Sequence, residues 1–172
     1  MIRRESAEDA GAVRDVQAAA FARPGAATPP EVVLIDRLRA GAEWIPRLSL
    51  VAVVTDEVIG HVVCTRAWVG DRAVLGLGPL GVLPAHQGRA TGSALVRAVV
   101  AAADALKAPL IGLLGAVGYY RRFGFVTSHH LGISPPDPGW GDHFQVLPLT
   151  THEPSLTGPF RYAPAFRDLP GE

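Results

Sequence analysis

The stretch LGVLPAHQGRATGSALVRAVVA, residues 80–101, joins the end of a strand, a short loop and a long helix. Leu80 and Val82 alternate with small residues as in a strand, and Pro84 ends strand pairing because it has no N–H to donate. From residue 93 onward, apolar side chains recur at helical spacing at Ala94, Leu95, Ala98, Val99 and Ala102. The stretch therefore predicts a strand that leads through a small, polar loop into a helix.

A loop of this kind has the properties of an anion site. The first backbone N–H groups of a helix are unpaired and point one way, and the helix dipole adds positive potential there. Gly88 and Gly92 let a phosphate approach the backbone, and Arg89 adds a fixed positive charge. An ordinary strand-to-helix turn is the alternative, since the loop matches neither the P-loop pattern nor G-x-G-x-x-G. Spacing alone leaves both interpretations open.

The loop also resembles a family signature. Val82-Leu83-Pro84 followed by Gln87-Gly88-Arg89-Ala90-Thr91-Gly92 is similar to the acyl-CoA motif of the GNAT superfamily of N-acetyltransferases, Val-x-Pro and then Gln/Arg-x-x-Gly-x-Gly/Ala. Ala90 stands where glycine is usual, and alanine disfavours positive φ, so the backbone at this residue decides whether CoA affinity suffers. The resemblance implies acetyl-CoA, or a related acyl-CoA, as cosubstrate. The residues expected to bind it are Leu80, Gly81, Val82, Gln87, Gly88, Arg89, Ala90, Thr91, Gly92 and Ser93.

Composition limits the function classes. The chain has 172 residues, 48% of them hydrophobic and 19% charged, which predicts one globular domain. Lys+Arg and Asp+Glu both number 16, so no net charge attracts nucleic acid or an anionic membrane, and no apolar run is long enough to span a bilayer. Cys64 is the one cysteine and the N-terminus lacks a signal-peptide core, so we expect a cytoplasmic protein. Every basic residue except Lys107 is arginine, which together with abundant Ala, Gly and Pro suggests a bacterial source.

The remaining pattern predicts the order of elements. A short strand over residues 1–5 precedes two helices, over 6–21 and 31–40. Strands over 48–54, 58–69 and 73–83 follow as an antiparallel meander, and the glycines and proline of the third indicate a bulge or a splayed end. The strand over 109–114 should lie parallel to it, because a helix connects the two. A short helix over 118–123 and a strand over 143–149 complete the order.

This order matches the GNAT architecture. The expected fold is α+β, with a mixed central sheet, helices on both faces and splayed fourth and fifth strands. We predict a single domain over residues 1–150 and a tail over 151–172 that packs on the surface or frays. In this family the pantetheine arm lies between the splayed strands, which implies backbone contacts at Leu80 and Val82, with Gly81 leaving room.

A second motif lies at residues 119–125. Tyr120-Arg121-Arg122-Phe123-Gly124-Phe125 resembles the family pattern Tyr-x-Lys/Arg-x-Gly-Phe, which places Tyr120 at the general acid that protonates the departing CoA thiolate. Tyr119 points about 100° away around a helix, so the two rings cannot both face one cleft. A core aromatic cluster that ends in a glycine C-cap is the alternative interpretation.

The general base is the least defined part of the site. No carboxylate occurs between residues 73 and 83, where many relatives carry one. Candidates are Glu31 and Asp36 on the second helix and His61 on the third strand, although His61 equally suits a packed strand histidine and Glu31 a helix-dipole partner. His129 and His130 would point to opposite faces of a strand, so we predict no metal site.

The resemblance implies a direct transfer of acetyl from acetyl-CoA to a primary amine. The acceptor, a small molecule or a protein, cannot be identified from the sequence, but residues 134–142 and the second helix should line its site. A non-catalytic acyl-CoA sensor or partner module of the same fold is the alternative, motivated by Ala90 and the missing strand carboxylate. A homodimer is left open.

Overall fold

The computed structural model describes residues 1–167 as an open sheet flanked by helices. Its strands are β1 Ile2–Arg4, β2 Ser49–Val54, β3 Glu57–Val69, β4 Arg72–Val82, β5 Leu110–Leu114, β6 Val126–Thr127, β7 Ile133–Ser134, β8 Phe144–Pro148 and β9 Gly158–Arg161. Its α-helices are α1 Ala10–Ala20, α2 Pro30–Ala40, α3 Thr91–Ala105 and α4 Val117–Tyr120. Short 3₁₀ turns occupy several of the connections.

The sheet is mixed, as predicted. Its strand order is β1-β2-β3-β4-β5-β8-β6, and within this path only the β4–β5 pair is parallel among the described residues. The predicted meander over β2, β3 and β4 and the predicted crossover through α3 to a parallel β5 are therefore confirmed. β9 extends this sheet by pairing with the end of β3, and β7 pairs with β9.

β4 and β5 pair at two positions and then diverge. Leu75 pairs with Ile111 and Gly76 with Gly112, and the rest of β4 has no β5 partner in the described chain. The register between β3 and β4 also shifts between Val62 and Cys64, which face Leu80 and Leu77. Three steps along β4 thus match two along β3, which defines a β-bulge at Gly78 and Pro79. The bulge and the splayed end that the glycines predicted are both present.

Helices cover both faces of the sheet. α3 buries Leu95, Val99 and Ala103 against one face, as its periodicity predicted. On the other face, α1 and α2 pack Val16 and Ile35 against β2 and β3. A third apolar cluster gathers around Phe144 and Phe160 beside the C-terminal segment. The cores position the splayed ends of β4 and β5 between α1–α2 and the C-terminal segment.

The segment after residue 150 contributes to the third cluster. Leu156, Phe160 and Ala163 are buried, and β9 pairs with Trp68 and Val69 of β3. Residues 168–172, the last part of the predicted tail, lie outside the described residues. The division into a domain over 1–150 and a tail over 151–172 stays a prediction.

The two adjacent histidines require a correction. His129 and His130 lie in a 3₁₀ turn, Ser128–Leu131, so the strand argument used for them was wrong. No group of three or more His, Cys, Asp or Glu side chains suited to a metal occurs in residues 1–167. No helix over the same residues is long and apolar enough to span a membrane.

Candidate active site

The free edge of β4 leads directly into the predicted donor loop. Leu80 and Val82 pair with Val62 and Gly60 of β3 along one edge of β4. On the other edge, which faces β5, no strand of the described residues pairs with them. Beyond Val82 the chain makes a 3₁₀ turn at Pro84–His86 and then enters α3 at Thr91. The backbone groups on this edge can therefore pair with an extended ligand in the way that an added strand would.

The backbone of the loop adopts positive φ at Ala90, the residue that stands where the family motif usually has glycine. Gly88 has φ +72°, and Ala90 has φ +63° and ψ +7°, which is the left-handed region. A residue with a Cβ in this region costs about 1–2 kcal/mol relative to glycine. The Ala94 N–H donates to the Ala90 carbonyl at 2.9 Å, so the amides of Thr91, Gly92 and Ser93 belong to the first turn of α3, which has no partner within the helix. Ala90 thus carries strain at the residue that starts the anion site.

Two contacts fix the loop. The Gln87 side-chain amide donates to the Val82 carbonyl at 2.9 Å, which ties the loop to the end of β4. The Arg122 guanidinium donates to the Ser93 hydroxyl at 3.1 Å and lies 4.6 Å from the centre of the Tyr119 ring. Arg122 therefore connects the turn after α4 to the first turn of α3, and Arg89 in the preceding loop is exposed.

Gly81 has a different role from the predicted one. A Cβ on Gly81 would lie 2.6 Å from Gln17 Oε1 and 3.2 Å from the Ala20 Cβ. The space that the missing side chain leaves is therefore filled by α1, and the expectation that Gly81 leaves room for pantetheine was wrong. The backbone of Gly81 still lies on the free edge of β4.

Tyr120 lies where the two strands diverge. It lines a cavity of about 870 Å³ together with Leu77 to Leu80 of β4 and Leu114 to Ala116 at the end of β5. Its ring packs against Gly115, where a Cβ would come within 2.5 Å of Tyr120 Cε2. Burial, with a smaller contribution from Tyr119, raises the pKa of Tyr120 to about 12, so the phenol stays protonated near neutral pH. A protonated donor thus stands at the opening of the splayed strands.

Glu31 reaches the same cavity from α2. It occupies the first turn of the helix, and Leu34 on the next turn also lines the cavity. Its Oε2 atom is shielded from solvent and has no hydrogen-bond partner in the described chain. Pro136, Asp137 and Trp140 line the opposite side, so both segments predicted from the sequence contribute to the wall.

His61 is the packed strand histidine of the two alternatives. It is fully buried, with Nε2 at 2.8 Å from the Ser49 hydroxyl and Nδ1 at 2.9 Å from the Gln17 amide nitrogen. Ser49 donates its proton to Glu5, so its oxygen accepts from His61 Nε2–H, and His61 Nδ1 accepts from Gln17. Burial lowers the pKa of His61 despite the nearby Glu5 carboxylate, which keeps the ring neutral. Both ring nitrogens are thus occupied away from the cavity.

Two further candidates lie elsewhere. Asp36 forms ion pairs with Arg14 and with Arg39, and neither it nor His61 lines the cavity. Cys64 is fully buried, and burial raises the pKa of its thiol well above the ordinary value. Neither side chain has access to an acyl group in the cavity.

An aromatic part of the cavity wall was not predicted from the sequence. It consists of Phe21 at the end of α1 and of Phe160, Tyr162 and Phe166 in the C-terminal segment. The aromatic residues after 158 alternate, which could have signalled a packed segment, but their partners lie far away in the chain. A Cβ at Gly76 or Gly112 would meet Tyr162 at 2.7 Å or Phe160 at 2.5 Å, so these two glycines let the segment cross the sheet.

Comparison with known proteins identifies the family. Residues 15–125 match the model of the acetyltransferase (GNAT) family. The uncharacterized N-acetyltransferase YjhQ of Escherichia coli is 29% identical over 163 residues, which cover 90% of this chain and 87% of YjhQ.

Solved structures agree with this match. A GNAT family acetyltransferase from Brucella melitensis in complex with acetyl-CoA has a TM-score of 0.79 and 34% identity, covering 96% of this chain and 97% of its own. The N-acetyltransferase YhbS of E. coli in complex with CoA has a TM-score of 0.89 and 26% identity, covering 100% and 95%. The family match, the mixed sheet and the divergence of β4 from β5 agree, and this chain belongs to the GNAT family of acetyltransferases.

Proposed function

We propose that this protein transfers an acetyl group from acetyl-CoA directly to a primary amine. The observation that carries the proposal is the free edge of β4 at Leu80 to Val82, which opens into the cavity that Tyr120 lines. The unpaired first turn of α3 with Arg89 would hold the pyrophosphate, and the strand edge would pair with the pantetheine arm. The acetyl-CoA bound to the Brucella relative supports this choice of donor.

The chain's own residues would carry out the proton transfers. Glu31 accepts a proton from the ammonium, directly or through water, and the neutral amine attacks the thioester carbonyl. As the carbon–sulfur bond breaks, Tyr120 donates its proton to the leaving thiolate. The acylated nitrogen loses its extra proton to solvent, from which the tyrosinate is reprotonated, and Glu31 releases its proton to solvent. We assign the base to Glu31 rather than to His61 or Asp36, because Glu31 alone of the three lines the cavity.

A covalent acyl-enzyme is disfavoured. Cys64 is buried in the core, and the Ser49, His61 and Glu5 side chains form a closed cluster with no cavity-lining member. A nucleophile must be able to reach the acyl carbon, and none of these can. The acceptor amine therefore attacks the thioester itself. The same buried, lone cysteine supports a reducing compartment, and we propose a cytoplasmic protein.

A non-catalytic acyl-CoA sensor is the second candidate. It is favoured by the strained backbone of Ala90 and by the lack of a carboxylate on β4. Steady-state release of the CoA thiol, measured with acetyl-CoA and a panel of primary amines, separates the two functions. Acetylated amine detected by mass spectrometry supports the transferase, whereas calorimetric binding of acetyl-CoA without turnover of any amine supports the sensor.

A further inference from the structure

We infer that the acceptor is a small primary amine carried on an aromatic or bulky apolar body. The inference rests on the proposed acetyl transfer and names the substrate class for that same cavity. The cavity extends well past the donor edge of β4, toward α1, α2 and the C-terminal segment. What lines this further part decides which amines can enter it.

The far wall is predominantly aromatic. It consists of Phe21, Leu34, Trp140, Phe160, Tyr162 and Phe166. These rings are packed against one another: the centres of Tyr162 and Phe166 lie 4.5 Å apart, and those of Phe160 and Tyr162 lie 4.9 Å apart. Gly76 and Gly112 hold two of the rings against the sheet. The wall is therefore packed before a ligand arrives, and it offers mainly apolar contact, with the Trp140 indole N–H and the Tyr162 hydroxyl as the polar groups of its rings.

Glu31 supplies the charge that an ammonium needs. A carboxylate oxygen that is shielded from water and has no partner is unfavourable, and a bound cation with N–H donors relieves this. The other charged residues of the wall are engaged or of the wrong sign for a cation. Asp137 accepts from the Gly139 N–H at 2.8 Å, Arg161 lies 5.0 Å from the centre of the Trp68 ring, and Arg167 is positive. Glu31 is thus the position for one ammonium group.

This combination selects against hydrophilic acceptors. A polyamine would bring a second ammonium against the aromatic wall, where it would lose water. The other carboxylate of the lining, Asp137, is exposed and already accepts the Gly139 N–H, so an ammonium gains less there than at Glu31. A peptide would bring more backbone N–H and C=O groups than the Trp140 indole and the Tyr162 hydroxyl can pair, and the rest would lose water without a partner. A compact amine with one cationic end and one aromatic end satisfies both parts of the cavity.

The test compares acceptors in the wild-type protein. Phenethylamine, tryptamine, propylamine, spermidine and a short unblocked peptide are assayed with acetyl-CoA for acetylated product. We expect kcat/KM for the two aromatic amines to exceed that for propylamine roughly tenfold or more, because burying a ring is worth at least that factor. Preferred acetylation of spermidine or of the peptide overturns the inference while leaving the proposed transferase intact.

Binding gives a readout that does not depend on turnover. Calorimetry on the CoA-loaded protein compares phenethylamine with 2-phenylethanol, which lacks the ammonium, and with propylamine, which lacks the ring. Phenethylamine should bind most tightly, and Glu31→Gln should reduce its affinity about tenfold while leaving that of 2-phenylethanol unchanged. Glu57→Gln, at an exposed strand end, is the matched control and should alter neither. If no amine is acetylated but this order of affinities holds, the transferase proposal fails and the site assignment stands; equal affinity for all three ligands overturns the site assignment.

Discussion

The Tyr119 hydroxyl lies against the first turn of α3, so close that a Cβ on Gly92 would be 2.9 Å from it. The neighbouring ring of Tyr120 faces the cavity, and the two rings meet edge to face with centres 4.9 Å apart. The two tyrosines thus lie at different ends of the proposed donor site. Tyr119 lies beside the proposed pyrophosphate site, and Tyr120 lies beside the proposed thioester site.

Tyr119→Phe tests whether the Tyr119 hydroxyl contributes to acetyl-CoA binding. Removing the hydroxyl should raise KM for acetyl-CoA by about 10–100-fold, the value of one hydrogen bond to a charged group, with kcat unchanged. Initial rates at varied acetyl-CoA measure both constants. A fall in kcat with unchanged KM would place the Tyr119 hydroxyl at the reacting atoms instead.

Tyr120→Phe tests whether the Tyr120 phenol protonates the leaving thiolate. The ring and its packing on Gly115 remain while the proton donor is lost, so kcat should fall by about 10²–10⁴-fold with little change in donor affinity. Because the pKa of the phenol is raised to about 12, the wild-type rate should not decline through ionisation of Tyr120 below about pH 11. An undiminished kcat in this variant would leave the proton to water or to the amine itself.

Gly92→Asp should abolish measurable acetyl-CoA binding. The new side chain displaces the Tyr119 hydroxyl and adds a negative charge where the phosphates would lie. Gly11→Asp is the matched control, because Gly11 is exposed in the first turn of α1 and has no atom within 4 Å of its Cβ position. Calorimetry with acetyl-CoA checks both variants, and circular dichroism verifies that both fold. Equal affinities would remove the loop from the donor site.

Ala90→Gly should stabilise the protein slightly. The left-handed backbone at residue 90 costs about 1–2 kcal/mol with a Cβ, whereas glycine costs about 0.4–1 kcal/mol through the freedom of the unfolded chain. The net gain in the free energy of unfolding is therefore at most about 1.5 kcal/mol. The same substitution at Ala101, exposed within α3, should instead cost about 0.5–1 kcal/mol. Urea denaturation measures both, and a loss of stability at residue 90 would contradict the strained backbone.

The Glu5 carboxylate should account for part of the decrease in the free energy of unfolding at low pH. Burial tends to raise its pKa, but the adjacent His61 side chain and the hydrogen bonds from the Ser49 and Arg39 side chains prevail and lower the pKa to about 2. Since the folded pKa lies below the ordinary 4.5, the stabilisation is complete above pH 4.5 and is lost as the pH falls toward 2. The loss is on the order of 3 kcal/mol.

Glu5→Gln removes this titration. Its free energy of unfolding should be lower than that of the wild type at pH 7 and should change less between pH 4.5 and 2. Glu57→Gln, an exposed acid, should retain the wild-type profile. Parallel pH profiles for wild type and Glu5→Gln, measured by urea denaturation, would show that Glu5 does not titrate as its contacts require.

Local pattern predicted the donor half of the site better than the acceptor half. The strand, loop and helix over residues 80–101 carry their own signals, so β4, the loop and α3 are found near the predicted positions. The roles of Gly81, Gly76 and Gly112 depend on Gln17, Tyr162 and Phe160, which are distant in the chain. β9 has four residues, one of them Pro159, and it is a strand only because β3 and β7 flank it. No periodicity within such a segment can predict its partners.

The crossing of the C-terminal segment over Gly76 and Gly112 has a consequence for the order in which the protein can form during synthesis. The ribosome has synthesised strands β1 to β8 and the loop before α3 once it reaches residue 148. Phe160, Tyr162 and Phe166 of the cavity wall are synthesised after that. The pairing of Trp68 with Arg161 closes one of the longest loops in the chain and cannot form earlier. On the ribosome, the residues of the proposed donor site are therefore all synthesised before the aromatic wall of the proposed acceptor site is complete.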